Sequence, residues 1–176
     1  IFIRDNYGVH LFDSEAGIET LIEGSKGAGK LTMAVADGKV FAIAGSKLLV
    51  LEKGKTTVGK TIDMGQRIAA VAKANDGNLW VSMQGSPAKI AKVNSKTGES
   101  IKTNLVTEIN LSAGSAAGCA IAAYHNKLYY SGLGSKIYRH DFETGTTTML
   151  GDVKVFNSEM AMTYNPIAVH PITGHI

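Results

Sequence analysis

Apolar positions in this chain alternate with polar ones in short runs, and the runs are broken by glycine. One stretch shows the unit: Asn75-Asp76-Gly77-Asn78-Leu79-Trp80-Val81-Ser82, a tight Asp-Gly turn feeding a short strand with an aromatic second residue. A loop follows, and then Lys89-Ile90-Ala91-Lys92-Val93-Asn94, a second strand ending on a polar turn. Period-two alternation over five or six residues, punctuated by turn residues, is the signature of β-strands. No segment carries a convincing helical period, and Ala120 to Ala123 reads as strand because glycines flank it.

The unit repeats. Ile1-Phe2, Val40-Phe41, Leu79-Trp80 and Leu128-Tyr129 each open a β-prone run with an aliphatic–aromatic pair. Each is followed by an alternating strand ending on Asp, Glu or Asn: Val9 to Asp13, Leu48 to Glu52, Ile90 to Asn94 and Ile137 to Asp141. Glycine reversals come next, at Gly17, Gly54, Gly98 and Gly145. Further β-rich runs such as Thr56 to Ile62 and Thr146 to Leu150 complete the unit. A small-residue strand then leads into the next unit: Leu31 to Ala36, Ile68 to Ala74, Ala117 to Tyr124 and Met160 to Tyr164.

Four strands per unit of roughly 40 to 50 residues, joined by short turns, describe the blade of a β-propeller. The expected fold is therefore all-β, a β-propeller of four-stranded antiparallel blades. Residues 1–176 form one domain, with repeats starting near 1, 40, 79 and 128. The sequence breaks off in phase with its repeat, so about four blades are covered: either a closed four-bladed propeller or part of a larger ring, the latter expected because a terminus inside a strand would otherwise expose a raw edge.

Composition narrows the function classes. Twenty glycines against three prolines speak for turns rather than disorder, and a formal charge of +3 with no basic stripe gives no reason to expect nucleic acid. Cys119, the one cysteine, reads as a small buried hydrophobe. No run approaches the ~20 apolar residues that span a bilayer.

Motifs that could carry chemistry fare poorly. Gly24-Ser25-Lys26-Gly27-Ala28-Gly29-Lys30-Leu31 nearly spells a phosphate-binding loop, but Leu31 stands where a hydroxyl is needed and a strand follows where a helix should. His10, His125, His140, His170 and His175 have no metal-ligand spacing. Ser115, His125 and Asp141 lack a nucleophile elbow. Asn110-Leu111-Ser112 matches a glycosylation sequon and no more. Neither a catalytic set nor a cofactor is expected.

Propeller geometry directs attention to loops. With strands named A to D outward from the axis, the A–B and C–D turns share one face, and both sets are short and repetitive, as plain scaffold would be. The B–C and D–A loops share the other face and vary, as binding loops on a rigid frame do. From them come the candidate ligand-binding residues Arg4, Tyr7, Gln66, Arg67, Gln84, Asn157 and Glu159. Trp80 sits in the repeated aromatic slot with Phe2, Phe41 and Tyr129 and is expected between blades.

Asp76 to Ser82, Lys89 to Asn94, and Ser135 to Asp141 with Thr144-Gly145 resemble the blade signatures of Bacteroidetes surface propeller lipoproteins, as does Asn6 to Asp13. Tyr164-Asn165-Pro166 to Ile176 looks like the start of a further blade. Members of that group are mostly described as a domain of unknown function or as cell-adhesion proteins. The resemblance implies a seven- or eight-bladed ring at the cell surface or in the periplasm, tethered by a lipid anchor outside this chain. Some relatives capture corrinoids beside an outer-membrane transporter. With the repeat pattern and no persuasive catalytic constellation, the expected function is a non-catalytic binder of a small molecule, or of a surface protein or glycan partner, and the resemblance adds that transporter as a further partner. The alternatives are a propeller enzyme of lyase or hydrolase type, or the sensor domain of a longer receptor.

Overall fold

The computed structural model describes residues 1–28, 32–84, 89–105, 120–131, 136–152, 167–170 and 172–176. They form four antiparallel sheets, each a meander whose strands pair in chain order. The first contains β1 (Phe2–Arg4), β2 (Val9–Asp13) and β3 (Ile18–Leu21). The second contains β4 (Met33–Ala36), β5 (Lys39–Ala44), β6 (Lys47–Glu52) and β7 (Lys60–Asp63). The third contains β8 (Ile68–Lys73), β9 (Leu79–Met83), β10 (Lys89–Val93) and β11 (Ser100–Leu105). The fourth contains β12 (Ala120–Tyr124), β13 (Lys127–Ser131), β14 (Lys136–Asp141) and β15 (Thr146–Asp152). Three are four-stranded blades as the repeat predicts, with the aliphatic–aromatic pair in the second strand (β5, β9 and β13); the first sheet has three strands among the described residues, and Phe2 opens its first.

The core lies between blades, so the middle strands are apolar on both sides. Val40 and Ala42 of β5, with Leu49 and Leu51 of β6, join Val9 and Ile22 of blade 1 in one cluster. Their neighbours Phe41, Ile43, Leu48 and Val50 point the other way and meet Ile68, Val71, Leu79 and Val81 of blade 3. Blade 3 repeats the division: Trp80 and Ile90 turn from that cluster to pack with Ile121, Leu128 and Tyr130 of blade 4. Since successive side chains of a strand leave on opposite faces, one strand serves two seams. This explains why β5 reads as a continuous apolar run. The placement of Trp80 in the seam agrees with the sequence expectation.

Alanines crowd the innermost strands, with Ala34, Ala36, Ala69 and Ala70 all buried. A threonine joins two of these strands: the Thr32 hydroxyl accepts a bond from the Val71 amide at 3.1 Å. Turn geometry follows the sequence. Asp37 and Gly38 carry φ of 48° and 71°, the paired left-handed residues of a two-residue hairpin. In the C–D turns the acceptors are Asp13, Asn94 and Asp141, each taking two backbone amides two and three residues on.

One strand departs from expectation. β7 begins at Lys60, not Thr56. The Thr56–Val58 segment is drawn to blade 1 instead, where Glu23 donates to the Thr56 carbonyl at 2.8 Å and accepts from the Val58 amide at 3.0 Å. The expected strand Met160 to Tyr164, the sequon and Cys119 lie outside the described residues.

Candidate functional site

The loop face is assembled by backbone hydrogen bonds between neighbouring loops. In blade 1 the Asp5 carboxylate accepts the amides of Tyr7 at 2.7 Å and Gly8 at 3.0 Å, closing the β1–β2 loop. The amides of Gly8 and Tyr7 hold the Asp5 carboxyl below the ordinary aspartate range. Gly8 is required by proximity, because a Cβ there would sit 2.7 Å from the Ser25 hydroxyl. Ser25 is fully buried and its hydroxyl bridges the Val9 amide and carbonyl at 3.0 and 3.2 Å. Gly27 then donates to the Tyr7 carbonyl at 3.4 Å. The glycine-rich loop is thus pegged to the Tyr7 loop and leads to strand β4. Its serine is buried, and the next described element, Met33–Ala36, is a strand where a phosphate-binding loop opens a helix; Gly29, Lys30 and Leu31 lie outside the described residues.

The same construction recurs further along. Met64 donates to the Ser46 carbonyl, Ile68 to Gly45 and Gln84 to Arg67, at 2.8 to 2.9 Å. Arg67 and Gln84 are therefore joined, with half-buried Gln66 beside them and Arg67 exposed. Arg4 ends β1 and Tyr7 is 74% exposed on its loop. No hydrogen bond or ion pair between described residues links this blade 1 pair to the Gln66, Arg67 and Gln84 group. Asn157 and Glu159 lie outside the described residues.

The turn face is not the featureless scaffold the sequence suggests. A cleft of about 260 Å³ opens between blades 2 and 3, lined by Asp37, Asp76 and Lys96 among others. A second, of about 400 Å³, lies between blades 3 and 4. Its floor includes Trp80, stacked on Phe142 with centroids 4.5 Å apart and planes 4° from parallel. Asn75 and Asp76 wall it from the blade 3 turn, and His125, Asn126 and Glu143 from the turns of blade 4. Lys92 lines the same cleft, ion-paired to Asp76 and 5.6 Å from the Trp80 centroid. Burial works to raise the Asp76 pKa, but its bonds to Lys92 and Asn78 prevail and leave it lowered.

Sequence reasoning missed these cleft residues. Their signal is present only as two polar turns, Asp76-Gly77-Asn78 and His125-Asn126, on adjacent blades. Among the described residues no group of three His, Cys, Asp or Glu side chains is placed to hold a metal ion.

The whole chain, residues 1–176, matches the family described as Domain of unknown function (DUF5074). The chain belongs to that family. No curated protein matches it. Among solved structures it is similar to a protein of unknown function from Bacteroides thetaiotaomicron (21% identity, TM-score 0.60), covering 84% of this chain and 39% of that one. It is also similar to PorZ, a surface component of the type-IX secretion system of Porphyromonas gingivalis (15%, TM-score 0.63), covering 86% and 20%. A third is BamB from Moraxella catarrhalis (15%, TM-score 0.56), covering 85% and 44%. At these identities the likeness shows the fold, a β-propeller. The chain spans less than half the length of these three structures.

Proposed function

We propose that this chain forms part of an exported, non-catalytic β-propeller of seven or eight blades, which binds a ligand or surface partner through its loop face. The observation that carries the reading is the tethered rim itself. Each described B–C loop is hydrogen-bonded to a D–A segment, so exposed Tyr7 and Arg67 are presented on fixed backbone. Binding to preformed loops loses little ordering entropy, and a phenol and a guanidinium on the same face offer apolar contact and charge. Export is supported by likeness to the surface component PorZ and to the Bacteroides protein. A lipid anchor outside this chain and a transporter partner belong to the same reading.

Among small ligands a corrinoid is the concrete choice, and it can be tested directly. The protein is titrated with cyanocobalamin by calorimetry, beside Tyr7→Ala and Arg67→Ala. Saturable binding weakened about tenfold by either substitution supports the corrinoid reading; tenfold corresponds to ~1.4 kcal/mol, the worth of one good contact. Equal affinity in all three would move the ligand off this face. Absence of binding would end the corrinoid reading and leave a protein or glycan partner for the rim.

A further inference from the structure

We infer that the cleft between blades 3 and 4, on the face opposite the loop rim, is a second binding site, for a neutral saccharide. Three features of the cleft select that chemistry.

The first is the charge. Asp76 and Lys92 neutralise each other as an ion pair, which leaves Glu143 as the one unpaired carboxylate of the lining. An anion is repelled by it, and a cation finds a single exposed carboxylate, which contributes little in water.

The second is the supply of unused planar polar groups. Asn75, Asn126 and Glu143 side chains form no hydrogen bond or ion pair among the described residues, and all three are exposed. Two amides and a carboxylate provide adjacent donors and acceptors. Neighbouring hydroxyls of a sugar, each able to donate and accept, satisfy such a set.

The third is the floor. Trp80 itself is buried, but half-buried Phe142, stacked on it, brings an aromatic ring to the cleft against which the C–H surface of a sugar can pack.

The walls are fixed before any ligand arrives. Ala74 donates to Asn78 at 2.8 Å, Phe142 to Asn126 at 3.0 Å, and Glu143 to the Asp141 carboxylate at 2.9 Å. His125 holds φ of 50°, in the left-handed region that a two-residue hairpin turn uses and that histidine enters more often than most residues. At about 400 Å³ the cleft falls within the range of ligand pockets.

Trp80 is the chain's single tryptophan, so its fluorescence reports on this cleft. The intact protein is titrated with neutral hexasaccharides of glucose, mannose, xylose and N-acetylglucosamine, beside Asn126→Ala, Glu143→Ala and Arg67→Ala. The expected result is a saturable emission change with at least one sugar. Its midpoint concentration rises about tenfold in Asn126→Ala and Glu143→Ala and stays put in Arg67→Ala. Thermal midpoints of these exposed-residue variants serve as the folding control. The inference is overturned by an unchanged emission with every sugar, or by a change that survives both cleft substitutions. A response abolished by Arg67→Ala would also overturn it, because that residue lies on the other face. The loop-face reading fails or stands separately, on the cyanocobalamin titration.

Discussion

Gly98 shows how one residue ties two blades together. Its φ of 82° lies in the left-handed region, and a Cβ there would come within 2.9 Å of both Cγ atoms of Ile62 in β7. The Lys60 ammonium reaches over the same turn to the carbonyls of Lys96 at 3.4 Å and Thr97 at 3.0 Å. Gly98→Ala therefore carries two costs, ~1–2 kcal/mol for the backbone and a further ~1–3 kcal/mol for overpacking. Gly145 holds the matching turn of blade 4 at φ 67° with open space around it, so Gly145→Ala carries only the first. Urea denaturation of both variants checks this, and equal losses would remove the Ile62 contact from the account. Both glycines are legible in the sequence as turns. What separates them is a contact made across blades, which no local pattern announces.

At the scale of the element, the C–D turns contain their own control. Asp13 and Asp141 use a carboxylate where Asn94 uses an amide, for the same two backbone bonds. The Asp13 carboxyl is lowered by the amides of Ala16 and Glu15, and that of Asp141 first by the amide of Glu143. A carboxyl lowered in the folded state stabilises above its unfolded value of about 3.9 and loses that contribution as pH falls through the folded value. Amide shifts of Glu15, Ala16, Glu143 and Thr144 should thus move with midpoints under that value, while those of Lys96 and Thr97 stay flat. A parallel response at Asn94's turn would contradict the assignment. These turns, the strands and the blade order were readable from the sequence, because each depends on residues near one another in the chain. β7 was misread at its start because Thr56–Val58 pairs with Glu23, more than thirty residues back, where β-propensity carries no information. The loop-face candidates were placed by the same topology argument. The cleft was not, since it exists only where turns of two blades meet.

For the whole molecule, the question is whether blades melt together. Among the described residues the buried clusters join each blade to the next, so stability is a sum over blades and the seams between them. Phe41, fully buried, fills the seam between blades 2 and 3, whereas Trp80 lies in the seam between blades 3 and 4. Phe41→Ala should cost ~3–5 kcal/mol for the lost ring and the cavity left behind. Ile3, 43% exposed on the side of blade 1 away from that seam, should change stability by less than ~1 kcal/mol on truncation to alanine. The readouts are far-UV circular dichroism, which sees every blade, and Trp80 fluorescence, which sees one seam. If the seams couple the blades into one cooperative unit, the two transitions coincide in the parent protein and shift together in Phe41→Ala. A dichroism transition that moves while the Trp80 signal stays in place would mean that blades 3 and 4 hold without blade 2. The cleft at Trp80 would then survive damage elsewhere in the ring, because the seam that forms its floor would be its own folding unit.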